Sequence, residues 1–317
     1  MKRWVLWTVL ILLIIASILI GVGNLDFKSL VSLDETALLL LFKSRIPRTI
    51  SIIFTGVGMS VSGIIMQQLS RNKFVSPSTA ATLDSAKFGV LIAMLLFVGS
   101  SIFVKMAISF VVGLVGTFLF MRFVGKIKAK NILLIPLIGI VFGTIIDALT
   151  TFIAYRYNVI QSLSSYFVGD FSLIIEGRYE MLYLIVPLVI IAYIYAYRFS
   201  LAGMGEDFSK NLGLSYKKTV VIGLVIVALM TSSVLVTVGS IPFLGLIVPN
   251  IVTMYRGDML KKNLIDTALF GSIFLLFTDI IGRVIIYPYE VPIGLTIGVL
   301  GSVIFIILLV RKTVYGK

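Results

Sequence analysis

Charged side chains are scarce in this sequence, and those that fall inside apolar stretches are the residues that could do chemistry. Asp84 and Lys87 stand three apart in one such stretch, Asp279 and Arg283 four apart in another, and Asp147 alone in a third. Three or four residues along a helix bring two side chains to the same face, and a charge in lipid is costly unless paired. Asp84–Lys87 and Asp279–Arg283 therefore read as structural ion pairs facing the inside of a helix bundle. Asp147 has no local partner; it is either a hydrogen-bonded structural acid or an acid on a translocation path. Arg45 and Arg48 flank Pro47 at the outer end of a further apolar stretch. They either anchor it at the interface or offer a cationic docking point to carboxylates of an extracellular protein. Arg283, toward the outer end of its own stretch, could join that surface.

Bond-making chemistry has no obvious seat. The chain has no Cys and no His, which removes thiolates, disulfides, the commonest metal ligand and the usual general base. No Gly-x-x-x-x-Gly-Lys-Ser/Thr run cradles a phosphate, and no acid–base pair lies beside a nucleophile. The sequence predicts no catalytic residue, no metal site and no cofactor of its own. If ATP drives this protein, the ATP is held by a partner.

Four polar or glycine-rich stretches remain. Gly56 to Gly63, followed by Gln67, places small residues at near-helical spacing, which lets helices approach closely. Its Ser60 and Ser62, with Gln67, either pack or line a passage. Ser70 to Thr79 reads as a polar turn whose Ser or Thr caps the next helix. Gly239 to Asn250 carries Gly245 and two prolines, Pro242 and Pro249. Non-helical backbone at membrane depth is tolerated where protein or a water-filled cavity covers it, so Gly245, Pro249 and Asn250 are candidates for a passage wall or a kink. Leu201 to Leu214 is different: a short polar helix bracketed by Gly203, Gly205 and Gly213, with Glu206 and Asp207 at its start. A helix lying on lipid wants a broad apolar face and basic flanks; this one suits a groove in another protein, such as a motor.

The elements that position these residues follow from composition. Of 317 residues, 59% are hydrophobic and 13% charged. About 20 consecutive apolar residues match a bilayer core of about 30 Å. The runs are continuous rather than alternating, which excludes a barrel and requires helices. Ten spans are expected, at 4–22, 50–69, 82–99, 102–121, 132–153, 181–198, 219–238, 241–255, 264–286 and 292–310. The first, preceded by Lys2 and Arg3, reads as an uncleaved span rather than a signal peptide. Of the 27 Lys and Arg, 18 fall on the side that holds both termini, Lys128, Lys130 and Lys317 among them. The positive-inside rule puts that side in the cytoplasm. The net charge of +13 is thus spread over loops and does not indicate a nucleic-acid surface. The longer outer segments are 23–49 and 154–180. No separate soluble domain is expected: residues 1–317 read as one transmembrane domain, with 201–214 as its cytoplasmic coupling segment.

Together these residues resemble the FecCD family, the permease subunits of ATP-binding-cassette importers for siderophores, haem and cobalamin. The matching pieces are Arg45-Ile46-Pro47-Arg48, Ser62-Gly63 with Gln67, Arg71-Asn72 with Pro77, Gly205-Glu206 with Leu212-Gly213-Leu214, Gly239 to Pro249, Asp279 with Arg283, and Glu290-x-Pro292-x-Gly294. The resemblance covers about residues 40–312. It implies an all-α permease of about ten spans, paired with a second permease subunit, identical or paralogous, around a shared passage. It implies two ATPase subunits that seat Gly203 to Leu214, and an extracytoplasmic binding protein whose glutamates meet Arg45, Arg48 and Arg283. The setting is a bacterial cytoplasmic membrane. Asn250 and Lys73 depart from the family's usual His and Pro, so no imidazole role transfers. The version Ser70 to Pro77, with Met204 to Ser209 and Tyr255 to Asp258, looks most like the catecholate or petrobactin branch, with a ferric siderophore as cargo. An ion-coupled secondary transporter is the rival reading; it needs a relay of acids for which Asp84, Asp147 and Asp279 are few.

Overall fold

The computed structural model describes residues 3–21, 35–126 and 134–315; Lys2, Lys128, Lys130 and Lys317 of the basic set lie outside them, as do residues 23–34 of the first expected outer segment. The described chain is helical: α1 (Arg3–Leu19), α2 (Glu35–Leu69), α3 (Thr82–Leu96), α4 (Ile102–Val124), α5 (Leu134–Arg156), α6 (Ile160–Phe167), α7 (Ile185–Gly203), α8 (Glu206–Asn211), α9 (Tyr216–Thr237), α10 (Leu244–Arg256), α11 (Leu260–Val284) and α12 (Ile293–Tyr315). Among the described residues, seven helices are long and apolar enough to cross a membrane: α2, α4, α5, α7 with the turn Glu180–Leu184 before it, α9, α11 and α12. The expected first, third and eighth spans are shorter, at 17, 15 and 13 residues.

Helix α2 is the centre of the bundle, packed against α1, α7, α9, α10 and α11. It begins at Glu35, fifteen residues before the expected start at 50, because a π-helical turn, Leu41–Arg45, admits Pro47. A proline donates nothing to the carbonyl four residues back. That carbonyl, on Lys43, instead accepts from the Glu176 N–H at 3.1 Å. Close crossings are made where side chains are absent. A Cβ on Gly63 would lie 1.8 Å from the Gly245 carbonyl oxygen of α10, and one on Gly56 2.7 Å from that of Gly271 in α11.

Two non-helical stretches explain the two shortest spans. Residues 70–81 do not form a solvated turn: Asn72, Phe74, Val75, Ser76, Ala80 and Ala81 are buried. Their polar groups are met locally, with the Phe74 N–H on Asn72 Oδ1 (2.9 Å), the Ser76 N–H on Thr79 Oγ1 (2.9 Å), and the Lys73 carbonyl accepting from Asn250 Nδ2 (2.7 Å). No Ser or Thr caps α3; its N-cap is Ala81, in a left-handed conformation. Thr82 instead takes the Thr117 hydroxyl at 2.7 Å, pinning α3 to α4. Residues 238–243 are covered by 168–170, whose Gly169 and Asp170 N–H groups donate to Ser240 and Val238 carbonyls. Both stretches obey the rule that irregular backbone at membrane depth is buried in protein. Helices α5 and α12 are the least buried of the seven, at 22% and 17% of their spans against 28% for α4 and α7 and 78% for α2; each keeps a face for lipid or for another chain.

Candidate functional site

The segment 201–214 is built as a short, stiff handle. Helix α7 runs on to Gly203, and the chain then breaks at Gly205 (φ +117). Helix α8 follows, with Glu206 and Asp207 in its first turn, where acids complement the helix dipole. It ends in a paired C-terminal lock: the Leu214 N–H donates to Ser209 and the Gly213 N–H to Lys210, both at 2.9 Å. Such a lock needs a left-handed residue, which Gly213 supplies at φ +74. Buried Ser209 ties α8 to α7 through the Leu201 carbonyl (2.9 Å) and also meets the carbonyl of Gly205, the N-cap of its own helix (2.6 Å). The expected single helix is thus a helix end, a break, one and a half turns and a lock. Outward it shows Met204, Phe208 and Leu212, four residues apart and all exposed. Glu206 and Lys210 pair at 2.9 Å; the hydrogen bond and charge of Lys210 hold the Glu206 carboxyl below its ordinary range. Inward, a Cβ on Gly203 would lie 2.6 Å from Gln68 Oε1, and one on Gly205 3.2 Å from the Arg71 guanidinium. The handle therefore rests on the last turn of α2.

The other end of α2 holds the arginines. All three expected docking cations are buried, which corrects the picture of an open cationic surface. Arg48 donates to Asp279 (2.9 Å) and to Glu290 (2.6 Å). Arg283 pairs with the other oxygen of Asp279 and donates to the Ser17 and Ile20 carbonyls, each at 2.8 Å. Arg45 donates to Ile20 O at 2.7 Å. Two guanidinium groups thus fill the open carbonyls at the end of α1, where the helix dipole favours a cation. The network joins α1, α2, α11 and the turn before α12. Its most exposed ion is Glu290, at 18% of its side chain.

Inside the bundle Asp147 has the partner that local sequence could not show. Lys87 Nζ lies 3.6 Å from Asp84 and 3.8 Å from Asp147, and 5.0 Å from the centroid of the Phe167 ring. One cation serves two carboxylates on α3 and α5. The side chain of Asp147 is 42% exposed, on the open flank of α5.

The other passage candidates are packing residues within this chain. Ser60 faces the α2–α11 crossing, where a Cβ on Gly271 would lie 2.1 Å from its Oγ. Ser62 donates to Met230 Sδ (3.3 Å) and Gln67 to the Leu246 carbonyl (3.4 Å). Gly245 abuts Gly63; Pro249 sits buried inside α10, and Asn250 bridges Lys73 and Leu246. Five of the six are closed off by this packing; Gln67 also borders the recess at the handle's end. A cavity of about 690 Å³ opens at the end away from the handle, walled by Thr237, Val238, Gly239 and Pro292, with Lys105 and Arg178 at its rim. Sequence reasoning passed over those two cations because neither has a charged partner at helical spacing: Lys105 sits in the first turn of α4 and Arg178 in the segment before α7.

A bundle of apolar helices with an exposed apolar handle at one end and a buried ion network at the other is a multi-pass membrane transport subunit. Its fold is that of an ABC transporter permease: a solved inward-facing metal-chelate type ABC transporter superposes with a TM-score of 0.79 at 22% identity, covering 97% of this chain and 98% of its own. Residues 9–311 match the FecCD transport family, and the chain belongs to it. The petrobactin import system permease protein YclN of Bacillus subtilis (strain 168) is 54% identical over 316 residues, covering all of both chains. The ferric-anguibactin transport system permease protein FatD of Vibrio anguillarum is 39% identical, covering 93% of this chain and 94% of its own.

Proposed function

We propose that this chain is the permease subunit of an ABC importer for ferric siderophores of the catecholate or petrobactin kind. The observation that carries the reading is the full-length 54% identity to a petrobactin permease, in a chain whose protein-facing handle and outer network lie at opposite ends of one helix. At about 1.5 Å per residue the 24 residues of Ile46–Leu69 span about 36 Å, so α2 is a rigid link between the two ends. In this reading two partner ATPases hold ATP and grip Met204, Phe208 and Leu212, and a second permease, identical or paralogous, covers the open flanks of α5 and α12. The chain itself performs no bond chemistry. An extracytoplasmic binding protein docks over Tyr287 and Tyr289, which are 65% and 75% exposed; its carboxylates reach Arg48 by displacing Glu290.

Orientation follows from charge. Arg3 and Arg256 meet on Asp266, Lys73 on Asp258, and Arg71, Lys261 and Lys262 wall the same recess, so the described inner cations gather at the handle's end. By the positive-inside rule, which supports this reading, that end and both termini belong in the cytoplasm of a bacterial cell whose plasma membrane the chain crosses. The cargo is tested by uptake of radiolabelled iron into cells lacking other iron importers, supplied as ferric petrobactin, a simple catecholate, a hydroxamate or citrate. Uptake of the first two is expected; uptake confined to hydroxamate or citrate refutes the cargo assignment.

A further inference from the structure

Two cavities run end to end along the flank of α7 and α11. The first, about 500 Å³, lies at membrane depth and is almost wholly carbon, between Trp7 of α1, Ile53 and Val57 of α2, Val189 of α7 and Ala268 of α11. The second, about 590 Å³, lies at the handle's end and is walled by Arg71, Lys73, Tyr197, Lys261 and Lys262. The two share no lining residue but adjoin at Tyr193, which lines the first while Lys261 of the second holds its Nζ 5.8 Å from the Tyr193 ring centroid. Lys73 is paired with Asp258. Among the described residues no carboxylate lies within ion-pair distance of Arg71, Lys261 or Lys262.

We propose that the joined cavities hold one anionic phospholipid, an acyl chain in the apolar cleft and the phosphate against Arg71, Lys261 and Lys262. A dry cleft at membrane depth offers water no hydrogen-bond partner, whereas an acyl chain fills it. Basic pockets between spans on the cytoplasmic side suit anionic headgroups. Charge alone would admit a free phosphate, but only a lipid occupies both compartments. The inference rests on the bilayer orientation above and not on the cargo. It has a consequence for coupling, because Gly203 and Met204 of the handle form part of the headgroup's wall: the bound lipid braces the junction of α2, α7 and α8.

Native mass spectrometry of the detergent-purified permease tests this, with phosphatidylglycerol and phosphatidylcholine of identical chains. Phosphatidylglycerol should be retained in preference, at one copy per chain. The exposed-site variant Arg71→Gln with Lys261→Gln and Lys262→Gln should lose that preference by about fivefold per charge removed. Ala268→Phe, which fills the cleft and leaves the charges in place, should lower retention of both lipids. Equal retention of the two lipids by the native protein overturns the proposal, as does displacement by inorganic phosphate alone. If the triple variant keeps its lipid but loses its ATPase partner on co-purification, the basic recess is a protein interface and the lipid site is refuted.

Discussion

Replacing Asp279 with Ala removes the carboxylate that two buried guanidinium groups share. Arg48 keeps Glu290 at 2.6 Å, while Arg283 keeps the Ser17 and Ile20 carbonyls but no carboxylate. Breaking a buried pair by removing one partner costs about 3–5 kcal/mol, because the remaining charge stays buried and uncompensated. With Arg48 still paired, the low end applies, about 3 kcal/mol, or about a hundredfold in the folded-to-unfolded ratio. The assay is equilibrium unfolding of the purified permease in mixed micelles of rising denaturing detergent, followed by far-ultraviolet circular dichroism. A second variant, Asp279→Leu with Arg283→Met, removes both members of the α11 pair and should recover part of the loss, since two matched apolar groups replace two matched charges. A loss under about 1 kcal/mol for Asp279→Ala is the behaviour of an exposed pair. It would refute the buried network and restore the reading of the arginines as an open docking surface.

Gly63→Val should prevent folded permease from accumulating, because even its Cβ would meet the Gly245 carbonyl oxygen at 1.8 Å; normal membrane levels by immunoblot would contradict the α2–α10 crossing. Phe208→Ala with Leu212→Ala should weaken ATPase capture by about thirtyfold if the pair forms the centre of the contact, at about 2 kcal/mol for a hot spot. The thermal midpoint should not move, because both side chains are exposed; unaltered capture in a pull-down would remove the handle from the interface.

Much of this architecture was legible in sequence, and the misses share physical causes. Apolar runs located the spans, and spacing alone found the pairs Asp84–Lys87 and Asp279–Arg283. What spacing could not show was any partner from another helix: Glu290 lies 242 residues from Arg48, and Ser17 lies 266 from Arg283. Buried within a network, an arginine cluster looks in sequence like a surface one. The start of α2 was missed because Lys43, Arg45, Pro47 and Arg48 read as a loop, whereas a π turn and an outside N–H accommodate the proline. Ser70 to Thr79 read as a polar turn for its Ser, Asn and Arg, yet Asn72 and Thr79 bond the segment's own buried backbone and only Arg71 is exposed. The serines of α2 were ambiguous between packing and passage, since small residues serve either; Gly271 opposite Ser60 and Met230 opposite Ser62 show them packed within this chain. The handle was the most legible part, because its glycines and helix-starting acids act locally.

The central claim is that a docked ATPase drives transport through the handle. Its most direct measurement is ferric siderophore accumulation in inverted-free proteoliposomes holding the permease pair and ATPase, with binding protein outside and ATP enclosed. Accumulation should require ATP, survive ionophores that collapse proton and sodium gradients, and fall to background in the Phe208→Ala, Leu212→Ala variant. Accumulation without ATP that collapses with the ionophores would contradict the account and establish an ion-coupled carrier.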